Sequence, residues 1–87
     1  MKPPKIIRFP KKVDIYDVWP RSDGQGVDLI SDQLPFGKLS YDGPGALVNA
    51  IEYALQHSRS HDAVILVYDD AGNVIGTHEH KGDFKEP

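Results

Sequence analysis

The stretch AVILVYDDAGNVIGTHEH, residues 63–80, decides how this chain folds. AVILVY is an unbroken apolar run, too short for a helix and rich in β-branched residues, so it reads as an interior strand. DDAGN then supplies turn residues, with Gly72 or Asn73 the natural occupant of a left-handed backbone position. VIGTHEH (74–80) returns as the last strand. An interior strand needs an apolar cover, and the residues before it provide one.

Gly43 suits a helix N-cap, Pro44 fits the first turn, and Asp42 lies where the helix dipole favours an anion. Leu47, Ala50, Ile51, Ala54 and Leu55 recur at three- and four-residue steps, with Asn49, Glu52 and Gln56 on the other side. This spacing predicts an amphipathic helix of about four turns, ending around HSRSH (57–61). Further upstream, VDIYDVW (13–19) alternates Val13, Ile15 and Trp19 with Asp14, Tyr16 and Val18, which is the period of a strand. Pro20 stops it, RSDGQG supplies a turn, and VDLIS (27–31) completes a hairpin. In DQLPFGKLSYDG, Pro35 and Gly37 exclude a long regular element, while KLSY leaves room for a third strand. The expected architecture is α+β: a small antiparallel sheet in the order β-β-α-β-β, with one amphipathic helix packed on one face.

A length of 87 residues allows one domain, and 39% hydrophobic with 26% charged residues is ordinary for a globular chain. The absence of cysteine excludes a disulfide framework, a thiol nucleophile and a zinc–thiolate site. The start MKPPKIIRFPKK has no apolar core of signal-peptide length, and no stretch approaches the ~20 apolar residues of a membrane span. A cytoplasmic protein outside the membrane is the expectation.

The net charge of −3 conceals an asymmetry. Lys2, Lys5, Arg8, Lys11 and Lys12 lie within the first twelve residues, which hold no acid and are punctuated by Pro3, Pro4 and Pro10. Residues 13–87 carry five basic and thirteen acidic side chains, a net of −8. We therefore divide the chain into a basic arm (1–12), in which IIRF can pair as an edge strand or pack on the body, and a single acidic domain (13–87).

The succession ALVNAIEYALQH, AVILVYDDAGNVI and a polar strand closing on KGDF resembles a family of small bacterial β-β-α-β-β domains of unknown function, over roughly residues 16–84. The resemblance implies the same fold. That family has no agreed activity or catalytic residues, so the resemblance implies no chemistry.

Candidate sites are few. In a strand, His78 and His80 share a face about 6.7 Å apart, which could begin a metal site, with His57, His61, Asp69 or Asp83 as candidates to complete it. The competing reading is a wet edge strand whose polar side chains discourage aggregation. His57 and His61 are four apart, but Ser58 stands where a zinc-protease helix needs glutamate. The adjacent Asp69 and Asp70 fit turn chemistry better than a metal grip. No serine sits in a nucleophile turn, and neither DGQG nor DGPG has the setting of a phosphate loop. Phe36, between Pro35 and Gly37, is the aromatic expected to be exposed and to anchor a partner.

Three functions follow. The first is a small non-enzymatic protein-interaction module with no cofactor, docking through its acidic body or a sheet edge. Phe36, Asp23, Asp28, Asp32, Asp69 and Asp70 would form its contact surface. A phage- or plasmid-encoded inhibitor of a nucleic-acid enzyme, acting by charge mimicry, is one form of it. The second is a nucleic-acid accessory protein using Lys2, Lys5, Arg8, Lys11 and Lys12, a reading the acidic body opposes. The third is a small metal-binding protein built on His78 and His80. Two open sheet edges, with IIRF or VIGTH as pairing segments, also predict a symmetric homodimer.

Overall fold

A computed structural model describes residues 13–82. Its elements in chain order are β1 (Val13–Pro20), β2 (Gly26–Ile30), β3 (Lys38–Asp42), α1 (Ala46–His57), β4 (Asp62–Tyr68) and β5 (Val74–His80). They form one five-stranded sheet, ordered β3-β2-β1-β4-β5, with the helix on one face. The α+β class and the helix-backed sheet are as the sequence predicts. KLSYD is a full third strand, and the sheet is mixed: β1 pairs parallel to β4, while the other three pairings are antiparallel.

The third strand causes the parallel pairing. Each hairpin reverses the chain, and the helix reverses it once more. With two strands before the helix, β4 would run against β1; with three, it runs alongside. The connection between β1 and β4 is then long, as parallel neighbours require.

Alternation within each strand sends one set of side chains to the helix. Tyr16 and Val18 of β1, Leu29 of β2, and Ala63, Ile65 and Val67 of β4 are buried there. The helix meets them with Ala46, Ala50 and Ala54. Three alanines at four-residue steps lie on one side of the helix, and their small size brings its backbone close to the sheet. The expected stripe is therefore rotated: Ile51 and Leu55 are only partly buried, and Leu47 is exposed. The helix begins later than expected, with Gly45 rather than Gly43 at the N-cap position. Gly43 instead takes a left-handed turn at φ 88°.

Beyond the helix C-terminus, Ser58 is fully buried. Its Oγ donates to Asp14 Oδ2 at 2.5 Å and lies 2.6 Å from the Tyr16 hydroxyl. Because the serine proton goes to the carboxylate, Tyr16 donates to Ser58. This relay fastens the end of the helix to β1. Burial pushes the Tyr16 pKa up, and the Asp14 charge acts in the same direction.

Candidate contact surface

The helix covers one face of the sheet, and among the described residues no element packs on the other. The registers place Val13, Ile15, Asp17 and Trp19 of β1 beside Asp62, Val64, Leu66 and Tyr68 of β4 on that open face. Ile30 lies opposite Asp17 from β2, and Thr77 lies opposite Leu66 from β5. Ile15 remains 47% exposed, and Val13 and Ile30 are also exposed. Val64 and Leu66 are partly covered by their neighbours. Trp19 and Tyr68 stack at 4.1 Å between ring centroids, 3° from parallel, and cap one end of the strip. Adjacent apolar side chains on two central strands form a continuous patch, unlike scattered surface leucines.

Carboxylates flank this strip. Asp17 sits within it, 3.4 Å from the Tyr68 hydroxyl. Asp28 lies opposite Trp19, and Glu79 opposite Val64. Across the described residues there are eleven Asp or Glu and four Lys or Arg. The open face is therefore apolar at its centre and charged around it, with three carboxylates and one cation, Lys38, which pairs with Ile30.

A bulge on β5 sets what this strand contributes. The register shifts between Val67 and Tyr68, placing Val74 opposite Tyr68 and Gly76 opposite Val67. Simple alternation would put Val74 with the histidines. The extra residue, Ile75, sends Val74 to the open face with Thr77 and Glu79 instead. His78 and His80 share a face as expected, and that face is the helix side, opposite Ile65 and Ala63.

The residues expected to form one contact surface are split. Asp23, Asp69 and Asp70 lie in the turns after β1 and β4, at one end of the sheet. Asp32 and Phe36 lie in the loop after β2, at the other end. Phe36 is 88% exposed, as predicted. Several of the carboxylates are held by local bonds. Asp69 accepts from the backbone N–H groups of Ala71 and Asn73, both at 2.9 Å, and Gly72 takes the left-handed position at φ 89°. The Asn73 contacts lower the Asp69 pKa despite the opposing effect of desolvation. Asp28 accepts from Ser40 Oγ at 2.6 Å. An open groove of about 470 Å³ at this end is lined by Trp19, Pro20, Arg21, Ser22, Gly24, Gly26 and Asp70.

Arg21 is fixed beside that groove by Asp23 at 2.9 Å, with Asp42 and Asp28 at 3.7 and 3.9 Å. The Arg21 hydrogen bond, helped by the Gln25 backbone N–H, holds the Asp23 carboxyl down at about 2. Its contribution to stability is therefore present above the ordinary carboxylate range and is lost as pH falls through about 2. Arg21→Ala should raise the Asp23 titration midpoint toward its ordinary value of 3.8, read from the side-chain carboxyl shift by NMR.

The histidines do not converge. His80 Nε2 lies 3.2 Å from the Arg59 carbonyl oxygen, and His57 Nε2 lies 3.1 Å from that of Gln33. His61 sits 3.9 Å from Asp14. Asp69 is at the far end of the sheet, and Asp83 lies outside the described residues. Among the described residues, no group of three or more potential ligands is placed to hold a metal ion. Ser58, Asp14 and His61 are neighbours, but the serine donates to the aspartate rather than to the imidazole, and it is fully buried. That order is the reverse of what a nucleophile needs. The basic arm, with Lys2, Lys5, Arg8, Lys11, Lys12 and IIRF, also lies outside the described residues. Of the two expected dimer edges, VIGTH does lie on edge strand β5. No helix among the described residues is long and apolar enough to cross a membrane.

Sequence inspection missed the open face because it assigned β1 and β4 a buried side without asking what covers the other. The signal was present: Ile15, Val64 and Leu66 are more apolar than the solvent side of a one-layer sheet requires. Comparison with family models, curated proteins and solved structures returned no match.

Proposed function

We propose that this chain is a non-enzymatic protein-interaction module whose working surface is the open face of the sheet. The observation that carries this reading is the strip of Val13, Ile15, Val64, Leu66 and the Trp19–Tyr68 stack, flanked by Asp17, Asp28 and Glu79. The matching partner is a protein surface with an apolar centre and a basic rim. Apolar burial supplies affinity, while the flanking carboxylates steer encounter and reject acidic partners. Basic surfaces of that kind occur on proteins that bind nucleic acid. An acidic module seated there would exclude the nucleic acid, which is the inhibitor form of this function.

The test compares the full chain with an Ile15→Gln/Leu66→Gln variant as affinity baits, with folding checked by circular dichroism. The expected result is a basic protein held at near-equal stoichiometry by the parent, lost at least tenfold by the variant, and weakened by raised salt. Equal capture by both baits would remove the open face from the reading.

A further inference from the structure

Strand β3 forms one edge of the sheet, and its features match a second copy of itself. The Ser31 N–H donates to the Gly37 carbonyl and the Gly43 N–H to that of Gln25, which fixes the alternation of the β2–β3 ladder. Leu39 and Tyr41 therefore bond inward to β2, while the N–H and C=O groups of Lys38, Ser40 and Asp42 point away from the sheet. Among the described residues no other strand pairs with them, so they form a template for another chain. We infer that two copies of this chain pair antiparallel along β3, with Ser40 against Ser40 at a twofold axis and Lys38 of each copy opposite Asp42 of the other. The two five-stranded sheets then join into one.

Three observations carry this inference. The first is charge. Lys38 and Asp42 stand at opposite ends of β3, both exposed and both on the open-face side, with Ser40 between them. Antiparallel pairing centred on Ser40 sets each lysine against an aspartate, and the twofold axis repeats the contact. The second is register. Centred on Ser40, every residue of β3 finds a partner. A centre at Leu39 or Tyr41 leaves strand ends unpaired and sets Lys38 or Asp42 against Ser40 instead. The third is room. On the helix side of this edge, an open groove of about 580 Å³ is lined by Tyr41, Asn49, Glu52, Tyr53, Leu55 and Gln56. One stripe of α1 therefore faces the edge without closing over it. Leu39 and Tyr41 are only partly buried there, and the pairing lays Leu39 of one copy against Tyr41 of the other.

The axis stands perpendicular to the sheet, so both open faces lie on the same side of the joined molecule. Sedimentation equilibrium of the full chain tests the pairing. The parent should form a dimer. Lys38→Glu or Asp42→Lys should weaken it at least tenfold, since either change sets like charges opposite each other at both contacts. Mixing the two variants in equal amounts should restore dimers, because unlike charges then meet at both contacts. Native mass spectrometry should find one chain of each kind in them. A parent that stays monomeric up to about 1 mM overturns the inference. So does a dimer that neither variant weakens, since its interface then lies elsewhere, the β5 edge included. A mixture that stays monomeric, with both variants folded by circular dichroism, overturns it as well. The bait experiment above changes Ile15 and Leu66 and leaves the β3 edge intact, so the two readings can fail separately.

Discussion

Ser58→Ala should destabilise the domain by about 3 kcal/mol, the largest loss expected from any single methyl-sized change in this protein. The substitution removes one hydroxyl and strands two groups. Asp14, only 4% exposed, loses the donor on its Oδ2, and the buried Tyr16 hydroxyl loses its acceptor. A buried charge without its donor is costlier than the bond it made, because water cannot replace the partner. For a domain of this length, the thermal midpoint should fall by about 15 °C. Tyr16→Phe removes the outer member of the relay and leaves the Ser58–Asp14 bond intact, so its loss should be near 1 kcal/mol. Replacing all three polar groups, with Asp14→Val, Tyr16→Phe and Ser58→Ala together, should recover much of the stability lost by Ser58→Ala alone. Urea unfolding of the four proteins gives the comparison. A Ser58→Ala midpoint within error of the parent would mean that the relay does not hold the helix to the sheet.

The second large effect is expected at Gly26, the first residue of β2. A Cβ built there would stand 1.9 Å from the Tyr41 carbonyl oxygen and 2.9 Å from the Asp42 Cα. Both obstacles are backbone, so no rotamer change can relieve them. Gly26→Ala must push β3 away from β2, at about 2–3 kcal/mol, and partly expose the Leu29–Leu39 and Val27–Tyr41 pairs on the helix side. Amide exchange in β3 should quicken while that in β4 changes little. Gly45→Ala is the control: its nearest neighbour is a side-chain nitrogen of Asn49 at 3.5 Å, so the effect should stay within about 0.5 kcal/mol. Equal losses at the two glycines would contradict the close approach of β3 to β2.

Gly26 also shows where the sequence stops being informative. It reads as one more turn glycine in RSDGQG, whereas its requirement comes from a strand fifteen residues downstream. What was legible is local. The apolar run 63–68, the turn at Gly72 and the helix after Pro44 all follow from period and residue type. What was not legible depends on pairing. KLSYD is short, lies after Pro35 and Gly37, and alternates weakly, so its strand character went uncommitted; with it went the direction of β4. At the site, Phe36 exposure and the shared face of His78 and His80 were correctly read. The open face was not, because it is a property of the sheet order: β1 and β4 become its centre only once they pair with each other. Nor can spacing foresee Ser58 beneath the helix end, since its partners lie 42 and 44 residues away.

The β1–β4 pairing also bears on how the molecule assembles in time. β1, β2 and β3 are joined by short turns and can zip together early, whereas β4 must wait for the helix to carry the chain back across the sheet. Until it arrives, one flank of β1 has no neighbour, and its amide and carbonyl groups invite pairing with the wrong strand. Long-range closure of this kind slows folding relative to a simple meander. A chain whose β4 is slow to dock should therefore aggregate more readily at high expression.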